Sequence, residues 1–166
     1  VWKARERAGD TTVYVVLDDD PTGTQSVADL PVLTHWEVED FRWAFATGKP
    51  AVYVMTNSRS LAPADAQRVN REVVAAATKA AGDETPVAFI SRSDSTLRGH
   101  FPLEPDTIAD ELERAGRPVD GIVIVPAFGE AGRITVDGTH YAGSADEGFL
   151  PVGETQFARD ATFSYE

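Results

Sequence analysis

The fold of this chain is decided by the stretch VAFISRSDSTLRGH, residues 87–100. Its first four residues are apolar, which is the pattern of a strand buried on both faces of a parallel sheet. The stretch then turns polar and carries three serines, two arginines and one aspartate within residues 91–99. Open α/β sheets bind ligands beyond the carboxyl ends of their strands, so we predict a binding loop here. The alternative is a solvated loop in which Asp94 only pairs with Arg92 or Arg98.

Strands and helices alternate on both sides of this stretch. Continuous apolar runs predict strands at 12–17, 31–34, 51–55, 87–90 and 121–125. Amphipathic patterns with proline or glycine at their ends predict helices at 37–47, 63–81 and 105–115. This alternation predicts an α/β fold with a parallel, Rossmann-like sheet flanked by helices. The dipeptide Asp137-Gly138 adds a hairpin near 134–141.

A second polar segment, DDDPTGTQ, follows the first predicted strand at residues 18–25. Its three adjacent aspartates repel one another unless a cation or hydrogen-bond donors compensate them. Pro21 and Gly23 predict a turn. We interpret the segment as a ligand or metal site, and the alternative is a helix N-cap with surface acids.

Four polar loops follow predicted strands, at 18–25, 56–60, 91–100 and 126–133. The carboxyl ends of parallel strands lie at one edge of a sheet, so these loops are expected to form one pocket. Arginines in the loops suit a carboxylate or a phosphate, and hydroxyls suit a polyol or a phosphate oxygen.

The composition narrows the function classes. The 166 residues predict one domain, and 27 acidic against 15 basic residues give a net charge of −12. No basic stripe is present, so neither nucleic acid nor an anionic membrane is an expected partner. The chain has no cysteine, which excludes disulfides and thiolate metal sites. No apolar run is long enough to span a bilayer, and we expect a cytoplasmic protein. Both ends suggest a piece of a longer chain.

The aspartate loop admits a hydrolase interpretation. Asp18, Asp20 and Thr22 after a strand have the spacing of the nucleophile motif of haloacid-dehalogenase-like phosphatases, and Thr56 follows a strand as in their second motif. Asp18 would then attack phosphorus and Asp20 would act as acid and base, with magnesium screening the charge. Such enzymes also need a late acidic pair, for which this chain offers only Glu130.

The combined motifs resemble another family, the four-carbon acid sugar kinases. They are DDPTG at 19–23, SRSDSTLRG at 91–99, PAF at 126–128 with GR at 132–133, and ETQFARD at 154–160 with Phe163. The resemblance covers nearly the whole chain but only the family's amino-terminal, sugar-binding domain. The carboxyl-terminal nucleotide-binding domain of that family is absent from this sequence.

The resemblance implies ATP-dependent phosphorylation of a threonate, erythronate or oxo-tetronate type of acid. It implies Asp19 and Asp20 as catalytic residues, without saying which of the three aspartates faces the substrate. The implied substrate-binding residues are Asp19, Thr22, Gly23, Ser91, Arg92, Ser93, Asp94, Ser95, Arg98 and Arg133. ATP and Mg²⁺ are expected mainly through the absent domain, with no metal ligand in this chain. The isolated chain is therefore expected to be inactive.

A third hypothesis is a non-catalytic module that binds a sugar acid. It differs from the kinase hypothesis in needing no second domain with a glycine-rich phosphate loop. The expected partner in both cases is a small sugar acid, and a homodimer is allowed.

Overall fold

The computed structural model describes residues 2–159, which form a parallel sheet with helices and a smaller antiparallel sheet. The parallel sheet has the order β2-β3-β1-β4 and contains β1 (Val13–Asp18), β2 (Val32–Leu33), β3 (Ala51–Met55) and β4 (Val87–Arg92). The helices of this part are α1 (Trp2–Ala8), α2 (Val38–Ala46), α3 (Pro63–Ala81) and α4 (Leu103–Arg114). The predicted α/β fold is confirmed.

The core lies between one face of the parallel sheet and helices α2, α3 and α4. Alternate residues of β1, Val15 and Leu17, join this core, as expected for strand geometry with a period of two. Helix α3 has Pro63 in its first turn and ends at Gly82, whose positive φ of 55° stops the helix. Its small alanine and valine side chains let it approach the sheet closely.

The antiparallel sheet has the order β5-β6-β7, with β5 (Arg133–Val136), β6 (Thr139–Ser144) and β7 (Gly148–Pro151). Asp137 and Gly138 connect β5 to β6 with φ values of 48° and 78°, the backbone that an Asp-Gly hairpin turn favours. The predicted hairpin is therefore confirmed. Strand β7 and the short helix α5 (Gln156–Arg159) were not predicted, because neither carries a periodic apolar pattern.

The prediction of a strand at 121–125 is wrong. This segment forms no strand, and its apolar side chains are exposed, with Val123 at 88%. Strand β4, which a strand at 121–125 would have to pair with, is the edge strand of the parallel sheet, and its Ile90 is 43% exposed. An apolar run shows only that a segment can be buried, and among the described residues this run meets no surface that covers it.

The other differences are at the ends of elements. Helix α4 begins at Leu103 rather than at residue 105, and α1 was not predicted. Arg5 of α1 lies over the ring of Tyr14, on the sheet face opposite the core. None of the helices within residues 2–159 is long and apolar enough to cross a bilayer.

Candidate functional site

Three strands end level at one edge of the parallel sheet. Asp18, the last residue of β1, is in register with Met55 of β3 and with Arg92 of β4. The backbone continues this alignment beyond the strands, because Asp19 N–H donates to Arg92 C=O at 3.2 Å and Thr56 N–H donates to Asp18 C=O at 3.0 Å. The aspartate loop, the 56–60 loop and the serine–arginine loop (residues 91–99) therefore start side by side.

Arg59 connects the 56–60 loop to the aspartates. Its Nε and Nη2 donate to the two carboxylate oxygens of Asp19 at 3.0 and 2.8 Å, and Nη1 donates to Asp20 Oδ2 at 3.1 Å. A bidentate pair of this kind combines charge with fixed geometry. Arg59 was not among the predicted substrate-binding residues, although its position in a loop after a strand was a usable signal.

Asp18 is a buried group rather than a surface acid. Its side chain is fully buried, Oδ1 accepts a hydrogen bond from Arg92 Nη1 at 3.2 Å, and Oδ2 has no partner in the described part of the chain. Burial raises the pKa of Asp18, and the Arg92 charge offsets this only in part. A side chain at Gly23 would collide with this carboxylate. Asp18 thus cannot reach an incoming phosphorus, which argues against the phosphatase interpretation.

Asp19 and Asp20 have different environments. Burial raises the pKa of Asp19, despite the hydrogen bonds and charge of Arg59. Asp20 keeps 26% of its side chain exposed, and hydrogen bonds from Thr22 hold its pKa below the usual range. Thr22, exposed in the same turn, donates its N–H to Asp20 Oδ1 at 2.9 Å. Of the three aspartates, Asp20 is the one that a substrate in solution can reach as an anion.

The serine–arginine loop is held partly by its own residues. Asp94 accepts hydrogen bonds from Arg98 Nε at 2.6 Å and from the Thr96 hydroxyl. Burial raises the pKa of Asp94, but these hydrogen bonds and the nearby arginines more than offset it, so the net shift is downward. The ion pair of the solvated-loop alternative is therefore present, between Asp94 and Arg98. The loop nevertheless ends against the aspartates, because a Cβ on Gly99 would lie 3.1 Å from Asp19 Oδ2.

The three predicted serines do not share one environment. Ser93 is exposed, whereas Ser91 and Ser95 are half-buried. The carbonyl of Ser95 accepts a hydrogen bond from Nε2 of His140 at 2.7 Å, and His140 Nδ1 lies 2.9 Å from the Thr135 hydroxyl. His140 is a buried residue of β6, so the antiparallel sheet supports the serine–arginine loop. Sequence reasoning missed this residue, since a single histidine in a hairpin carries no motif.

Arg133 and Arg98 both contact the ring of Phe157. The guanidinium carbons of Arg98 and Arg133 lie 5.6 and 5.1 Å from the centre of the Phe157 ring, within the range of cation–π attraction. Arg133 Nε is buried and has no hydrogen-bond partner among the described residues. Phe157 belongs to the tail motif whose place in the fold the sequence left unassigned; Asp160 and Phe163 of that motif lie outside the described residues.

The residues that the structure describes contain no group of three or more histidines, aspartates or glutamates arranged to hold a metal ion. In the aspartate loop, Asp19 accepts from Arg59 through both oxygens and Asp18 accepts from Arg92 through Oδ1, so arginines rather than a cation compensate these two carboxylates. Magnesium therefore does not fit the described residues of this chain.

The fold and the loops at this edge define an α/β domain with polar loops at the carboxyl edge of its parallel sheet. Residues 14–166 match the family of sugar-binding N-terminal domains, and the chain belongs to that family. The chain is also 38% identical, over 109 residues, to the D-erythronate kinase of Heliobacterium modesticaldum strain ATCC 51547 / Ice1. The alignment covers 66% of this chain and 22% of that kinase, so the chain spans only a small part of its relative's length. No solved structure matches the chain significantly.

The comparisons confirm the resemblance to four-carbon acid sugar kinases. They do not test the roles of individual residues, which remain predictions.

Proposed function

We propose that this chain binds a four-carbon sugar acid such as erythronate, as the substrate-binding domain of an ATP-dependent sugar acid kinase. The convergence of the aspartate loop, the 56–60 loop and the serine–arginine loop at one edge of the parallel sheet carries the proposal, because open α/β sheets bind ligands beyond the carboxyl ends of their strands. The family match and the similarity to an erythronate kinase agree with this role.

A sugar acid has two kinds of group to recognise, a carboxylate and several hydroxyls. Arg133 and Arg98, which share the Phe157 ring, are the cations that we assign to the carboxylate. Ser91, Ser93 and Ser95 offer donors and acceptors for the hydroxyls. Arg92 is less suited to the carboxylate, because it already donates to Asp18.

The two predicted catalytic aspartates receive different roles. Asp20 is the anion that accepts a hydrogen bond from the substrate hydroxyl and orients its oxygen. Its low pKa makes it a weak base, which suits a transfer in which charge neutralisation and positioning dominate. Asp19 keeps Arg59 in place.

ATP supplies the transferred phosphoryl group when it is bound. We expect ATP and Mg²⁺ to be held by the part of the kinase that this chain does not contain. The chain alone is accordingly expected to bind the acid without transferring phosphate.

Calorimetric titration with sodium D-erythronate tests the proposal. Arg133→Ala is expected to weaken binding by more than about tenfold, the usual result of removing one arm of a desolvated charge pair. The matched control is Arg114→Ala, which removes an exposed arginine on α4 that pairs only with Glu111 among its described contacts. The absence of any heat of binding at millimolar erythronate, in a folded protein, would overturn the proposal.

A further inference from the structure

A buried polar cluster lies beneath Arg59, and the proposed binding role makes no use of it. The cluster consists of Thr56, Ser58, Asn70 and Glu104, which come from the 56–60 loop, α3 and α4. All four side chains are buried. A carboxylate in such a place needs a reason, because burying a charged or polar group is costly unless it is hydrogen-bonded.

One oxygen of Glu104 is the centre of this cluster. Glu104 Oε1 accepts a hydrogen bond from Asn70 Nδ2 at 3.0 Å and forms a short hydrogen bond with the Ser58 hydroxyl. Asn70 is itself oriented by a second bond, from Nδ2 to the Ala66 carbonyl at 2.9 Å. Helices α3 and α4 therefore both contribute to fixing the Ser58 side chain.

The hydrogen bonds continue from Ser58 to the aspartate loop. Ser58 Oγ lies 3.1 Å from Thr56 Oγ1, and the Thr56 hydroxyl donates to the Asp18 carbonyl at 2.9 Å. Ser58 Oγ donates to Glu104 Oε1, so a row of contacts from Glu104 through Ser58 and Thr56 joins α4 to the start of the aspartate loop.

The same serine sets the backbone next to Arg59. The Ser58 carbonyl accepts a hydrogen bond from His100 Nε2 at 3.0 Å, and the preceding Asn57 has the left-handed φ of 51°. The next N–H, that of Arg59, donates to the Asp19 carbonyl at 3.1 Å. A shift of Ser58 would therefore move Arg59 directly.

We propose that Glu104 is a positioning residue: through the Ser58 hydroxyl it fixes the turn that places Arg59 across Asp19 and Asp20. Burial raises the pKa of Glu104, and Asp19 adds to this, while the hydrogen bonds from Ser58 and Asn70 and the charge of His100 act against it. The consequence for sugar-acid binding rests on the proposed function, whereas the placement of Arg59 does not.

The placement can be measured by NMR, from the Nε–H signal of Arg59 in isotopically labelled protein. Glu104→Leu is expected to shift or broaden that signal and to weaken D-erythronate binding about tenfold, which is within the range for coupled neighbours. Glu104→Gln is expected to keep both, because its carbonyl oxygen accepts from Ser58 and from Asn70 as Glu104 Oε1 does. The matched control is Thr107→Val, which loses another buried hydrogen bond of α4, to the Leu103 carbonyl.

The outcomes separate the inference from the proposed function. An unchanged Arg59 signal in folded Glu104→Leu would overturn the inference. So would a Glu104→Gln variant that loses the Arg59 signal and the binding to the same extent as Glu104→Leu. If Glu104→Leu does not fold, Ser58→Ala takes its place and must move the signal. A signal that moves as expected, in a protein that never binds D-erythronate, would support the positioning role and contradict the proposed function.

Discussion

The aspartate loop and the serine–arginine loop leave the same edge of the parallel sheet but are held in different ways. Asp18 and Asp19 are buried and are paired with arginines from the neighbouring strand and loop, within the parallel sheet. The serine–arginine loop is half-exposed, and its supports are its own Asp94 and His140 of the antiparallel sheet. One half of the site is thus part of the core, and the other half depends on a contact between the two sheets.

The largest expected effect comes from removing the cation of the buried half. Arg59→Ala removes both hydrogen bonds to buried Asp19 and leaves it only the Arg92 charge, at 3.9 Å. Breaking a buried pair costs about 3–5 kcal/mol of unfolding free energy, and the remaining Arg92 charge places the expected cost at the lower end of that range. Urea unfolding measures this. Arg68→Ala is the matched control, because Arg68 makes only exposed ion pairs on α3 and should cost under about 1 kcal/mol. A cost for Arg59→Ala no larger than that of the control would show that the pair is not a stabilising element.

The next effect concerns Gly23, on which the Asp18 carboxylate packs. Gly23→Ala places a methyl group against that carboxylate, and such overpacking costs about 1–3 kcal/mol. Adding Asp18→Ala should recover part of the loss, since it removes the colliding atoms. Gly153→Ala is the control, because its Cβ would meet no atom within 4 Å. Equal unfolding free energies for the two glycine variants would contradict the packing seen here.

A smaller and local effect is expected in the exposed half. His140→Ala removes the hydrogen bond to the Ser95 carbonyl, worth about 1 kcal/mol. Hydrogen exchange of the amides in residues 91–99 should become faster, whereas exchange in β1 should stay the same. If exchange becomes faster in both regions, the aspartate loop and the serine–arginine loop form one cooperative unit and are not held in different ways.

The smallest effect is on the pH dependence of stability. The pKa of Glu104 is raised in the folded state above its ordinary value of 4.5, so the folded protein binds this proton more tightly than the unfolded chain. Glu104 therefore contributes stability that is present below pH 4.5 and is lost as the pH rises through its folded pKa. Glu104→Gln should make the fall in stability with rising pH less steep. Urea unfolding at a series of pH values checks this, with Glu113→Gln, an exposed acid on the same helix, as control.

Local sequence patterns determined most of the elements and their order. Apolar runs of four to five residues identified β1, β3 and β4, and Pro63 with Gly82 marked the ends of α3. These signals act within a few residues of one another, so they can be interpreted without knowing the fold. The motifs at 19–23 and 91–99 likewise pointed to the family before any geometry was available.

The tertiary structure alone decided which charged groups meet and which segments find a place in a sheet. That Arg59 holds Asp19 depends on strand register, which brings together two loops 40 residues apart in the sequence. That Asp18 is buried depends on Gly23 folding back over it. The exposed run at 121–125 shows the same limit, because burial needs a partner surface that lies elsewhere in the chain.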